Sequence, residues 1–217
     1  MSAPFDLSQT DELLSTTRAV RRRLDLDRAV DRSTITECID LASQAPTGSN
    51  RQGWRWVVVD DPELKTGLAA IYRKGASGYL SKALESSKTR GDAQSQRVFE
   101  STLVLSDTMA DVPMLVLPCI EAKGAHQPLP AVDWSGLYGS IYPAVWSFQL
   151  ALRSRGLGST LTTLHLRYAA EAAALLDLPD DLMQVALLPV AYTKGTDFRR
   201  AARPPAEEII RWNRWES

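Results

Sequence analysis

The sequence predicts an α+β fold in a single domain, and three observations carry that expectation. Segments with helical spacing of apolar residues outnumber strand-like segments, and several follow one another directly, so strict strand–helix alternation is missing. Neither GxGxxG nor GxxxxGKS/T occurs, which removes the two common glycine-rich routes to a bound phosphate. The 217 residues contain no internal repeat and no linker-like stretch, which suits one domain spanning 1–217.

Residues 11–23 read as a first helix, with Leu13, Leu14, Thr17 and Val20 on one face and an arginine run at or past its end. Cations there complement the negative end of the helix dipole. Thr34 to Glu37 has the form of a capping box, and Ile35, Cys38, Ile39 and Ala42 then follow helical spacing to about Gln44. Pro46 and Gly48 open a loop, and Trp54–Val59 is aromatic and β-branched, hence a strand. Asp61-Pro62-Glu63 starts another helix with Leu64, Leu68 and Ile71 inside.

Residues 74–96 turn polar and read as a mobile, helical lid; Val98 to Met109 is again helical. Met114–Ile120 is a second strand, where Pro118 argues for an edge position or a bulge. Residues 121–136, with Gly124, His126, Pro128, Pro130 and Trp134, form a long loop and a second lid candidate. Leu137, Ile141, Val145, Phe148 and Leu152 mark a buried helix stopped by Gly156 or Gly158. Leu161 to Leu164 is extended or loop-like, and an alanine-rich helix covers about 169–177. Met183 to Tyr192 reads as one last strand, and Ala206 to Trp212 as a short terminal helix.

Composition narrows the function classes. The chain is 44% hydrophobic and 24% charged with a net charge of -1, so no bulk field draws it to nucleic acid or to an anionic membrane. Asp25, Asp27 and Asp31 cancel much of the arginine run. Cys38 and Cys119 lie in apolar settings and read as buried hydrophobes, without zinc-type Cys/His spacing, so no metal site is expected. No run of about 18 apolar residues suggests a membrane span, and the first residues lack the pattern of a signal peptide. A cytoplasmic protein is the simplest expectation.

Three separated segments carry the chemistry. The first is Arg18-Ala19-Val20-Arg21-Arg22-Arg23-Leu24; the second is Ala45-Pro46-Thr47-Gly48-Ser49-Asn50-Arg51-Gln52-Gly53-Trp54; the third is Arg199-Arg200-Ala201-Ala202-Arg203-Pro204. Arginine forks suit a phosphate, and short polar side chains suit the edge of a flat ring system. Together they resemble the FMN-dependent nitroreductase family. Its opening Arg-x-Ser-x-Arg/Lys pattern is matched by Arg18 and Arg22, with Val20 where serine is usual. A one-residue slip would make Arg21 the second partner. Its Ala-Pro-Ser-x-x-Asn-x-Gln-Pro-Trp signature is matched over 45–54, with Thr47 for serine and Gly53 for proline. Tyr142 to Ser159 resembles the family's core helix ending in Gly-Leu-Gly-Ser, and Arg203 onward resembles its closing Arg-x-Pro-Leu-Glu-Glu pattern.

The resemblance implies a nitroreductase-like fold, a central and mostly antiparallel sheet flanked by helices, with FMN at a homodimer interface. Arg18, Arg22, Arg200 and Arg203 are then expected on the flavin phosphate and ring-side polar atoms. Thr47, Ser49 and Asn50 are expected around a partner's flavin, and Leu161, Thr162 and Thr163 near its N5. The implied activity is NADH- or NADPH-driven reduction of a nitroaromatic or quinone by a ping-pong cycle. Reductive dehalogenation, flavin fragmentation and non-catalytic flavin binding stay open as alternatives. His165 is a possible proton donor, with a packed core histidine as the other reading, and no side chain is assigned a catalytic role.

Overall fold

In the computed structural model, residues 4–122 and 129–215 are described. The core is an antiparallel sheet of five strands: β1 (Trp54–Val59), β2 (Met114–Glu121), β3 (Leu157–Ser159), β4 (Leu182–Gln184) and β5 (Leu188–Tyr192). The order is β1-β2-β5-β3, with β4 also pairing with β2. β2 is central and buried on both faces. Leu115, Leu117 and Cys119 join one apolar cluster, while Met114, Val116 and Ile120 join the other. The continuous apolar run therefore reflects two covered faces, read at a period of two.

Pro118 is thus not at an edge. Glu121 N–H donates to the Gly53 carbonyl at 2.9 Å, so the alternation of the antiparallel ladder leaves Pro118, opposite Trp56, in a pair that needs no donor toward β1. Its missing N–H faces the other neighbour, where β4 pairs with Cys119–Glu121 and β5 with Met114–Val116. The expected single strand 183–192 is broken there. Val185 donates to the Pro118 carbonyl, and Leu187 turns away to exchange two backbone bonds with Thr162 at 2.8 and 3.0 Å.

Helices cover both faces. α1 (Leu7–Thr16) is capped by Asp6, whose carboxylate accepts from Gln9 N–H at 3.1 Å. It stops earlier than the expected 11–23, because Val20 N–H bonds the Ser159 carbonyl and Leu24 bridges Thr193. The arginine run is edge-like backbone along β3, not a helix end. α2 (Arg32–Ala42) begins after Asp31, before the expected capping box; Glu37 instead meets Arg155 at 3.5 Å. α3 (Pro62–Ala76) is capped by Asp61, whose carboxylate accepts from Glu63 and Leu64 N–H.

The polar stretch 74–96 is helical, as its reading as a helical segment implies. It holds the end of α3, all of α4 (Tyr79–Thr89) and the start of α5 (Ala93–Thr108), with positive φ at Gly78 and Gly91 making the turns. Leu80 and Ser87 anchor α4 in the core. Of the second lid candidate, residues 131–136 are the first turns of α6 (Ala131–Ser154), and 123–128, including Gly124, His126 and Pro128, lie outside the described residues. α6 buries Ile141, Val145, Phe148 and Leu152 against the sheet, each worth about 1.5–3 kcal/mol. Gly156, at φ +75, ends it. α7 (Ala169–Leu175) and the one-turn α8 (Ala206–Ile209) complete the chain.

Candidate cofactor site

The arginine strip is held in place by glycine. A Cβ at Gly158 would lie 2.6 Å from Thr193 Cγ2 and 2.8 Å from Val20 Cγ2, so only glycine lets the backbone at 18–20 lie along β3. Gln149 on α6 donates to Ser159 Oγ at 3.0 Å in the buried interior and fixes the same strand. From this seat Arg18 reaches across to the C-terminal strap and donates to the Arg199 carbonyl at 2.8 Å. Arg200 reaches back and donates through Nε to Ser15 Oγ on α1 at 3.0 Å. Two segments at opposite ends of the chain are thereby tied together.

Among the described residues, Arg18, Arg200 and Arg203 pair with no carboxylate, and all three are exposed. Among the described residues Arg203 donates only to its neighbour, the Ala202 carbonyl. Arg22 behaves differently: it faces Glu100 on α5 at 3.6 Å. Arg23 is engaged by the Lys194 carbonyl, Asp197 and the Phe198 ring. Arg21 is half-buried, and burial pulls its guanidinium below its ordinary pKa.

Residues 161–163 continue from the Ser159 seat. Thr162 is buried, with its hydroxyl and amide both on the Leu187 carbonyl, whereas Leu161 and Thr163 are exposed. The segment is backed by Gly75 of α3, where a Cβ would fall 2.0 Å from the Leu164 carbonyl oxygen. His165 follows, fully buried, with neither ring nitrogen partnered, and burial lowers its pKa to about 4. It is a packed neutral histidine rather than an exposed proton donor.

The loop at 47–53 is separately anchored. Gly48 N–H donates to Ser140 Oγ at 3.0 Å and Trp54 Nε1 donates to the Ser140 carbonyl at 2.9 Å, so one serine of α6 pins both ends. Ser49, Asn50 and Gln52 all have positive φ, at 54, 52 and 49°. Non-glycine residues avoid that region, and such strain clusters at ligand clamps. Thr47, Ser49, Gln52, Ile120, Leu137 and Ser140 are on the wall of a cleft of about 620 Å³. Asn50 does not line it; its side-chain oxygen accepts from Gln52 at 2.9 Å. No hydrogen bond or ion pair among the described residues joins this loop to the arginine strip, so the candidate residues fall into two separate groups on the chain. Sequence reasoning missed Ser140 and Gly75. Each lies about 90 residues from its contact, at 92 residues for Ser140 and Gly48, and neither carries a local signal.

This arrangement coincides with a family match over most of the chain. A model of the nitroreductase family matches residues 14–192. The chain belongs to the nitroreductase family. Its resemblances within that fold are spread over several chemistries. Iodotyrosine deiodinase of Thermotoga neapolitana is 25% identical over 176 residues, 81% of this chain and 83% of that protein. A solved structure of oxidized iodotyrosine deiodinase bound to FMN and 3-iodo-L-tyrosine superposes with a TM-score of 0.71 at 21% identity, covering 94% of this chain and 99% of that one. An FMN- and NADPH-dependent nitroreductase, NfnB, of Sphigopyxis sp. strain HMH superposes with a TM-score of 0.66 at 19% identity, over 94% and 99%. At these identities the structures share the fold. No helix among the described residues is long and apolar enough to cross a membrane.

Proposed function

We propose that this nitroreductase-family chain is an FMN-dependent oxidoreductase that takes electrons from NADH or NADPH and passes them to a small acceptor such as a nitroaromatic or quinone. The observation that carries the reading is the Arg18–Arg199 bond at 2.8 Å. It gathers the exposed cations of both chain ends beside the backbone that leads into 161–163. A set of guanidinium groups without carboxylate partners is the donor set that a phosphate monoester requires.

Arg18, Arg200 and Arg203 would hold the flavin phosphate, with Arg22 released from Glu100 to join them. Backbone groups of Leu161, Thr162 and Thr163 would face the ring, with Thr162 locked on Leu187 so that the segment keeps its shape. Thr47, Ser49 and Asn50 would close the site from a second copy, because they form a half-site apart from the arginines of their own chain. A homodimer follows from that division. The flavin, when bound, supplies the group that accepts and donates hydride. Donor and acceptor then use one face in turn, as in a ping-pong cycle, and α4 with the start of α6 would select the acceptor. Free, buried Cys38 and Cys119 fit a reducing cytoplasm.

A second reading has its own support. The deiodinase relatives favour reductive dehalogenation of a halogenated phenol on the same scaffold. The visible spectrum of the purified protein, recorded anaerobically before and after NADPH or NADH, tests the first reading. Flavin absorption that bleaches on addition supports it. A protein that binds flavin but bleaches only with dithionite, and then releases halide from a halotyrosine, favours the second. A colourless protein that takes up no added FMN rejects both.

A further inference from the structure

Two arginines from distant elements converge on one ring. Arg23 ends the run that lies along β3, and Arg153 sits in the last turn of α6. The Arg23 guanidinium lies over the Phe198 ring at 4.3 Å from its centroid, and that of Arg153 at 4.7 Å. The same two side chains hold the backbone that leads to this ring. Arg23 donates through Nε to the Lys194 carbonyl at 2.8 Å, and its fork meets Asp197 at 2.6 Å. Arg153 donates to the Thr196 carbonyl at 2.9 Å. Gly195, at φ +80, makes the turn between these contacts, and a Cβ there would fall 2.6 Å from the Arg23 fork.

Within 194–200, Phe198 alone is not exposed, and it packs against the apolar cluster that contains Val20 and Leu24. Among the described residues Arg153 pairs with no carboxylate, so the Phe198 ring and the Thr196 carbonyl are its polar attachments. The attraction is between a cation and the negative face of an aromatic ring, which an aliphatic side chain of similar bulk does not supply. Immediately past the ring, the Arg199 carbonyl accepts from Arg18 at 2.8 Å and Arg200 Nε donates to Ser15 Oγ at 3.0 Å. Fixing one ring therefore orders the stretch that carries Arg200 and Arg203 before any ligand arrives, and such ordering lowers the entropic cost of binding.

We propose that Phe198 is a positioning residue: held by Arg23 and Arg153, its ring latches the C-terminal strap and sets Arg200 and Arg203 where they meet the cofactor's phosphate. The latch stands on the geometry of the strap; its effect on the cofactor rests on the proposed function.

The experiment compares the wild-type protein with Phe198→Leu, which keeps the apolar bulk and removes the ring, and with Phe198→Tyr, which keeps the ring. In the flavin-free protein, trypsin cleavage after Arg199 and Arg200 is followed by mass spectrometry. Phe198→Leu should be cut about tenfold faster at these two bonds, as loss of both ring–cation contacts opens the strap locally, with no rise in cleavage elsewhere. Phe198→Tyr should keep the wild-type rate. Equal cleavage of wild type and Phe198→Leu, or a Phe198→Tyr strap as open as that of Phe198→Leu, overturns the latch. Titrations with FMN and with riboflavin, which lacks the phosphate, then read the positioning. Phe198→Leu should weaken FMN about tenfold and leave riboflavin unchanged, and it should add nothing in a background of Arg200→Ala with Arg203→Ala. Equal loss for FMN and riboflavin, or full additivity with the arginine variants, overturns the positioning role. Wild type that binds no FMN, while Phe198→Leu still opens the strap, rejects the flavin reading and upholds the latch.

Discussion

Gly75 of α3 lies directly beneath Leu164, so close that a Cβ at 75 would sit 2.0 Å from the Leu164 carbonyl oxygen. The contact is backbone to backbone and cannot be relieved by rotating a side chain. Gly75→Ala gains the usual helix-propensity benefit of about 1 kcal/mol, but overpacking of this kind costs about 1–3 kcal/mol or more. A net loss of several degrees in Tm is expected, with weaker FMN binding because 161–163 is displaced with Leu164. Thermal unfolding and a flavin titration measure both. A more stable variant would mean that the two backbones have room to separate.

Arg18→Ala and Arg203→Ala should each weaken FMN without unfolding the chain, since both side chains are exposed and bond only backbone carbonyls. A lost charge-assisted contact to phosphate corresponds to about 1.5–3 kcal/mol, or roughly 10- to 150-fold in Kd. Fluorescence quenching titrations give the number. Unchanged affinity in both variants would remove the proposed clamp.

Ser140→Ala deletes the acceptor for Gly48 N–H. Gly48 is exposed, so water can replace the acceptor and the net cost is about 0.5–1.5 kcal/mol. The strained turn at 48–50 loses its tether, so flavin affinity should fall together with stability. Hydrogen exchange at Gly48 should speed up in the variant, and unaltered protection there would count against the tether.

Ser49 sits at φ 54, ψ 25, in the left-handed region. Ser49→Gly should relieve about 1 kcal/mol of backbone strain while removing a hydroxyl from the cleft. The expected outcome is a small gain in Tm paired with weaker flavin binding. Loss of stability instead would show that the hydroxyl contributes more to the fold than the strain takes away.

His165 sets a pH dependence. Its folded pKa is near 4, below the ordinary 6.5, because burial disfavours the charged ring. Between those values the unfolded state binds the proton and the folded state does not, so stability declines as pH falls from about 6.5 toward 4. The full effect is at most about 3 kcal/mol. His165→Leu should flatten this part of the stability profile, as read from urea midpoints across pH 4–7. An equal slope in the variant would place the dependence elsewhere.

Much of this was legible because the signals are local. The Trp54–Val59 strand, the helix beginning after Asp61, and the apolar stripe of α6 each carry their period or cap in their own residues. The Ala45–Trp54 loop is likewise a contiguous signature, and its family resemblance agrees with the match over 14–192. What failed locally was decided by distant partners. Helix 11–23 stops at Thr16 because β3 offers Val20 a backbone acceptor across more than 130 residues of chain, at Ser159. Pro118 reads as an edge residue in isolation, yet it occupies the central strand because two short strands leave a gap opposite its missing donor. The sequence by itself determined the family, the α+β class and the residue types able to hold a phosphate. Only the tertiary structure decided which of the arginines are free to do so, because ion pairs with Glu100 and Asp197 and the burial of Arg21 arise from elements brought together by packing.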